Sequence, residues 1–323
     1  MKLSVAICTY NGAKYIEEQL LSILQQRLPI NEIVVCDDGS IDNTFSIIKG
    51  IANSYSSVEW KIKQNVSNLG VIKNFEQAIN LCSGDIIFLS DQDDIWRKDK
   101  TSLIMEYFNK NNRIDVVFSD ANIVGEDGSL LTNHSLLEAW SLIPNISLWN
   151  EGLKLEIINY SNKVTGATMA FRKSALKSFL PFEDNKRCLH DYQIAIYGCA
   201  YNSLGIIQDT LISYRQHIDN VMGISKENWV YTGKASSVLL PTIIEPLPLK
   251  ASFFKYNTPR VNFYLNRLKN YGTLIGKIFL LFMLPKYIKY YGAYWKIFFL
   301  SDFLYGINNS IRDKFINIVV KMR

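Results

Sequence analysis

The chain is poor in the residues and patterns that mark secreted or cysteine-built proteins. It holds five cysteines in 323 residues, an odd number with no C-x-x-C spacing. Cys8, Cys36, Cys82, Cys188 and Cys199 fall mostly inside apolar segments, so they read as buried reduced thiols rather than a disulfide or metal framework. Histidine is scarcer still, at three. There is no G-x-G-x-x-G loop and no G-x-x-x-x-G-K-[ST] loop, which excludes the two usual glycine-rich cradles for nucleotide phosphates. Long apolar runs are missing too: Ile278 to Leu284 covers seven residues before Pro285 interrupts it, far short of the ~20 that cross a bilayer. The opening Met1–Ile7 lacks the apolar core of a secretory signal and reads as a first strand, so a cytosolic protein is expected. Neither an internal repeat nor a low-complexity tract is found.

What is present is an ordinary globular composition, 48% hydrophobic, over a length that suits one large domain or a domain with an extension. The net charge of +5 hides an asymmetry. Residues 250–323 carry 13 Lys and Arg against only Asp302 and Asp313, a net +11, which leaves −6 on residues 1–249. The two parts face different partners.

In the first half, short β-like runs alternate with helical patterns. Leu3–Cys8, Glu32–Cys36, Val58–Lys63, Asp85–Leu89 and Asp115–Ser119 read as strands. Between them Ile16, Leu20, Ile23 and Leu24 recur at helical spacing, as do Phe45, Ile48 and Ile51, and Phe75, Ile79 and Cys82. This order predicts an α/β fold with a mainly parallel sheet and helices on both faces. Beyond a turn at Gly125–Gly128 the periodicity weakens to about residue 162; Lys163–Arg172 and Gly205–Tyr214 then read as strands and Leu189–Ala200 as a helix.

In parallel sheets, ligand-binding polar residues gather beyond the carboxyl ends of the strands. The acidic residues follow that rule: Asp37 and Asp38 end the second strand, and Asp91, Asp93 and Asp94 crowd behind the fourth in "LSDQDDIW". Like charges at a core edge repel and cost desolvation unless something positive compensates them. With no glycine-rich phosphate loop, a bound nucleotide would need its phosphates neutralised by other means, and a divalent cation held by carboxylates is the usual one. Of Asp91 and Asp93, one reaches the metal and the other a sugar or ribose hydroxyl. Asp42 reads as the cap of the following helix.

Several separated stretches resemble the inverting family 2 glycosyltransferases, which bind nucleotide sugars on an A-type fold. "AICTYNGAKYIEEQLLSI" is similar to the family's opening strand and helix, and "VVCDDGSIDNT" to its second-strand nucleotide site. "GDIIFLSDQDDIW" resembles its D-x-D signature, "LHDYQIAIYG" the helix bearing its base, and "YRQHIDNVMG" the segment that closes on the donor diphosphate. The resemblance covers roughly residues 1–223. It implies that Thr9, Tyr10 and Asn11 line the nucleoside pocket, that Asp38 holds base or ribose, and that Asp91 contacts ribose or sugar. It further implies Asp93 and His217 as ligands of Mn²⁺ or Mg²⁺, Arg215 on the donor side, and Asp191 as general base. The "HD" helix and "YRQH" segment resemble the rhamnosyltransferase branch, although Tyr192-Gln193 stand where that branch commonly has paired tryptophans.

After residue 250 the composition turns to Lys, Tyr and Phe. In "KYIKYYGAYWKIFFLSDFLY", Lys286, Lys289 and Lys296 fall on one side of a helix and aromatics fill much of the rest. Such a helix suits the headgroup layer of an anionic membrane; a core-packing or dimerising helix pair is the other reading. No recognised module supports nucleic-acid binding. The expectation is therefore a catalytic domain at 1–223, an acceptor-side linker at 224–249 and a membrane-associating helical segment at 250–323. The whole would transfer a sugar, rhamnose from dTDP-rhamnose first, from a nucleotide donor to a lipid-linked glycan at the cytoplasmic membrane face. A UDP-hexose donor, a sugar nucleotidyltransferase and a catalytically silent assembly protein are the alternatives.

Overall fold

The computed structural model describes residues 1–139, 162, 164–184, 188–218 and 220. The chain divides into Met1–Thr232 and Gly233–Arg323, and every described residue belongs to the first unit. The linker at 224–249, the basic aromatic segment at 250–323 and most of the poorly periodic stretch ending at 162 lie outside the described residues.

Strands and helices alternate at first. β1 (Leu3–Thr9), α1 (Ile16–Leu24), β2 (Glu32–Asp37), α2 (Thr44–Ser54), β3 (Glu59–Gln64), α3 (Val71–Leu81) and β4 (Ile86–Ser90) follow one another. Then come β5 (Ile95–Trp96), α4 (Lys100–Lys110), β6 (Val116–Val124), β7 (Leu130–Ser135), α5 (Leu136–Ala139), β8 (Met169–Arg172), α6 (Leu176–Phe179), α7 (His190–Ala200) and β9 (Leu204–Arg215). The order across the sheet is β3-β2-β1-β4-β8-β6-β9-β5, with β7 on β6. β1 runs parallel to β2 and β4, β2 to β3, and β6 to β9, while β8 is antiparallel to both β4 and β6. β1, β2, β3, β4, β6 and β9 therefore point one way, β7 and β8 run against them, and the sheet is mixed but mainly parallel, as its sequence pattern implies.

β1, β2 and β4 are buried along nearly their whole length, which is why they read as unbroken apolar runs. Their inward residues pack with Ile16, Leu20 and Ile23 of α1 and Ile48 of α2 into one core. Four of the five cysteines are buried.

Two readings change. Lys163–Arg172 is not one strand: a 3-10 turn occupies Gly166–Thr168 and only Met169–Arg172 pairs in the sheet. The other difference is an omission, because α4, β5 and the hairpin partner β7 carry no strong period of their own. β5 is two residues long, too short for any pattern to register. Yet β5 pairs Ile95 with Ser213 and Trp96 with Ile212, and this folds the chain after β4 back against the end of β9.

Candidate active site

Register places the site. Thr9 of β1 is opposite Asp37 of β2, and Ile7 is opposite Ser90 of β4, so the loops after these strands emerge side by side at the carboxyl edge. The β5–β9 pairing adds Arg215 and His217 to the same edge.

On the β1–β2 side the carboxylates are saturated by the protein. Asp37 accepts the Thr9 hydroxyl at 2.8 Å, the Ser40 N–H at 2.9 Å and the Gln64 amide at 3.1 Å. Asp38, 3% exposed, takes Asn65 Nδ2 at 2.8 Å, the Leu69 N–H at 2.8 Å and the Gly70 N–H at 2.9 Å. It shapes the loop from Asn65 to Gly70, which qualifies its expected role as a simple ligand of base or ribose. Thr9 is buried, and its hydroxyl donates to Asp37. Asp42 accepts the Thr44 N–H at the start of α2 and the Ala13 N–H, the capping role its position implied. Asn11 adopts a left-handed φ of 49°, which asparagine tolerates, and its side chain accepts the Ile41 N–H at 3.0 Å. Tyr10 stays 47% exposed.

The corner behind β4 is different. His217 Nε2 lies 2.7 Å from Asp93 Oδ2, across 124 residues of sequence. The imidazole stacks on Tyr15 at 4.7 Å between ring centroids, and Asn220 accepts the His217 N–H at 2.5 Å. Asp94 is buried; its Oδ1 accepts the Arg215 N–H at 3.0 Å and its Oδ2 has no hydrogen-bond partner. Burial, then the charges of Asp93 and Asp91, push the Asp94 carboxyl well above the usual range. Asp91 is half-buried, and its carboxyl is pushed up to about 7 by burial and by the charges of Asp93 and Asp191. Asp191 opens α7, where its carboxylate accepts the Tyr192 N–H at 2.7 Å and Asn162 Nδ2 at 2.9 Å. Burial raises it to about 6 against those bonds and one from the Gly166 N–H. The charges of Asp94, Asp91, Asp93 and Asp191 all bear on the buried Tyr214 phenol, so the four carboxylates share one neighbourhood.

Arg215 is built into the same corner. Its guanidinium, 2% exposed, donates to the Asp93 carbonyl at 2.8 Å, the Glu126 carbonyl at 2.5 Å and Glu18 Oε2 at 2.6 Å. It holds the corner together instead of reaching toward a donor. Sequence reasoning also passed over Lys100, which is fully buried, donates to the Ala167 carbonyl at 2.8 Å and lies 3.9 Å from the Trp96 ring centroid. Burial pulls its ammonium down to about 7, against the opposing pull of Asp94 and Asp91. A lysine at the start of an amphipathic helix reads as a solvated residue, so nothing local reveals that this one is an internal cation. His190 is buried with both ring nitrogens unpaired and stacks on Phe75 at 3.9 Å. Burial lowers its pKa to about 3, so beside Asp191 it is neutral packing.

The donor set of the corner fits a hard divalent cation: one carboxylate oxygen and one imidazole nitrogen, close together, with Asp91 nearby. No group of three or more His, Cys, Asp or Glu able to enclose an ion occurs among the described residues.

A family model, Glycosyl transferase family 2, matches residues 4–179. The chain belongs to glycosyl transferase family 2. Within this family it is 32% identical over 231 residues to the dTDP-rhamnosyl transferase RfbG of Shigella flexneri, covering 67% of this chain and 73% of that one. An uncharacterized glycosyltransferase of Haemophilus influenzae is 28% identical over 222 residues, and the match spans just under two thirds, 65%, of its length. Among solved structures, residues 1–349 of S. aureus TarS in complex with UDP-GlcNAc superpose with a TM-score of 0.52 at 20% identity, over 95% of this chain and 82% of that one. The mannosyltransferase PcManGT of Pyrobaculum calidifontis, in complex with GDP-Man and Mn²⁺, gives 0.51 at 16% identity, over 87% and 78%. At those identities the structural likeness speaks to the glycosyltransferase A-type fold. The matched region is thus a family 2 glycosyltransferase domain, which favours glycosyl transfer over the nucleotidyltransferase reading.

Proposed function

We propose that this enzyme is a metal-dependent, inverting glycosyltransferase that moves a sugar from a nucleoside diphosphate donor to a lipid-linked glycan, with dTDP-rhamnose as the first candidate donor. The observation that carries the reading is the Asp93–His217 pair beside the raised carboxyls of Asp91 and Asp191. The likeness to RfbG supports the choice of sugar; a UDP-hexose is the alternative, supported by the likeness to TarS bound to UDP-GlcNAc.

Held by Asp93, His217 and the donor diphosphate, Mn²⁺ or Mg²⁺ would supply charge neutralisation for the departing nucleoside diphosphate. Asp91 orients a sugar or ribose hydroxyl. Asp191, tuned upward toward neutrality, takes the proton from the acceptor hydroxyl as that oxygen bonds to the anomeric carbon. The carbon–oxygen bond to the diphosphate breaks on the opposite face, so the anomer inverts. Residues 1–223 form the catalytic domain in this reading, and residues 224–249 border the acceptor. The net +11 of residues 250–323 holds the enzyme on the cytoplasmic face of an anionic membrane. Among the described residues no helix is long and apolar enough to cross one.

The test is a thermal-shift panel of dTDP, UDP and GDP with and without Mn²⁺, followed by release of the matching sugar from its donor. Stabilisation by one nucleotide only with metal is expected; indifference to every nucleotide would refute the donor reading. For the tail, co-sedimentation with anionic liposomes should weaken as salt rises, and retention that ignores lipid charge would favour protein packing.

A further inference from the structure

We propose that Gln92, the middle residue of Asp91-Gln92-Asp93, is a positioning residue that couples the nucleoside side of the cleft to the acidic corner. The inference rests on the nucleotide-donor reading and deepens it. Gln92 Oε1 accepts the Tyr10 N–H at 2.8 Å, and Gln92 Nε2 donates to the Tyr10 carbonyl at 3.1 Å. One side-chain amide thus occupies both backbone polar groups of Tyr10, as a neighbouring strand would, just beyond the last paired residue of β1.

A second observation, independent of those bonds, points to the same amide. A Cβ added at Gly12 would sit 2.2 Å from Gln92 Oε1 and 2.4 Å from Gln92 Cδ. The amide fills the space a side chain at Gly12 would take, so a larger residue there has to displace the flexible end of Gln92. The segment so gripped is also tied to the β2–α2 connection and to α1: the Asn11 N–H donates to Ser40 Oγ at 2.8 Å, the Gly12 N–H to Thr44 Oγ1 at 2.8 Å, and the Gly12 carbonyl accepts the Ile16 N–H at 3.0 Å. Gln92 is its link to the turn after β4 that carries Asp91 and Asp93. The half-exposed Tyr10 ring is then presented at a set distance from the diphosphate-binding side, and donor affinity depends on that spacing.

The test uses the full chain with Mn²⁺ and the diphosphate, dTDP or UDP, that stabilises the wild type, read by calorimetry and by transfer at saturating donor. Gln92→Ala should weaken nucleotide binding about tenfold while transfer at saturation stays within threefold, a split that general loosening of the site would not produce. Gly12→Ala, whose methyl displaces the amide, should do the same. The double variant should bind no worse than the weaker single one, since the same tie is lost only once. Should the alanine variant not fold, Gln92→Met keeps the volume and removes the hydrogen bonds, with the same expected split. Binding within twofold of wild type in a folded Gln92 variant would overturn the inference, as would multiplied losses in the double variant or a fall in saturated transfer that tracks the loss of binding. Failure of the wild type to bind any nucleotide would instead remove the donor reading beneath it.

Discussion

The two sides of the cleft carry similar numbers of aspartates at the same edge of one sheet, yet they have opposite chemistry. Beside β1 and β2, Asp37, Asp38 and Asp42 each receive several N–H or hydroxyl donors from nearby loops. Behind β4, Asp94 has an orphan oxygen, Asp91 is raised by burial and by the charges of Asp93 and Asp191, and Asp191 is raised by burial against the bonds from Tyr192, Asn162 and Gly166. On the first side the donors tie the acids into the loops; on the second, burial and neighbouring charge favour a cation or a proton. Residue type and strand-end position do not separate the two cases; the surroundings do.

Substitutions that remove one side or the other should make the contrast measurable. The largest effect is expected at Asp191→Asn, which should lower transfer by about 10²–10⁴-fold, the usual worth of a general base, while dTDP or UDP binding with Mn²⁺ stays intact in calorimetry. Loss of both would make Asp191 a scaffold like Asp38. Next comes pH: with Asp191 near 6, transfer at saturating substrate should drop about tenfold per pH unit below that value as the base takes up a proton. The same raised value means the folded state binds a proton that the unfolded state has already released. Its contribution to stability is therefore greatest below the ordinary carboxylate range and declines as pH rises through about 6.

Smaller effects should differ in sign across the cleft. Asp38→Ala strands the Asn65 amide and the Leu69 and Gly70 N–H groups, at a cost of about 1–3 kcal/mol, readable as a lowered urea midpoint. Asp91→Asn, in metal-free protein, should leave the midpoint unchanged or raise it, because it removes a charge from a crowd. A fall comparable to that of Asp38→Ala would erase the distinction drawn here.

Much of this architecture was legible in advance. The buried strands β1, β2 and β4 are continuous apolar runs, and the helices between them repeat at helical spacing, so their order and the placement of acids at strand ends followed directly. The pairing of Asp93 with His217 was implied by family resemblance, not by any local pattern. What could not be read were Lys100, Gln92 and the true occupation of Arg215 and Thr9. Lys163–Arg172 misled because its apolar composition suits a strand. Its first half instead forms the turn at Gly166, where an added Cβ would lie 3.3 Å from Asp191 Cβ and 3.0 Å from His190 Nε2.

Local sequence settles what depends on near neighbours: strand and helix periods, the Asp42 cap, the absence of a glycine-rich phosphate loop and the gathering of negative charge behind β4. Packing settles which of those charges are answered, because the answering groups come from far along the chain. Asn65 serves Asp38, Arg215 serves Asp94, and the Gln92 amide serves Tyr10. Hydrogen bonds act within about 3 Å and burial is a property of the assembled core, so neither has a signature in residue order.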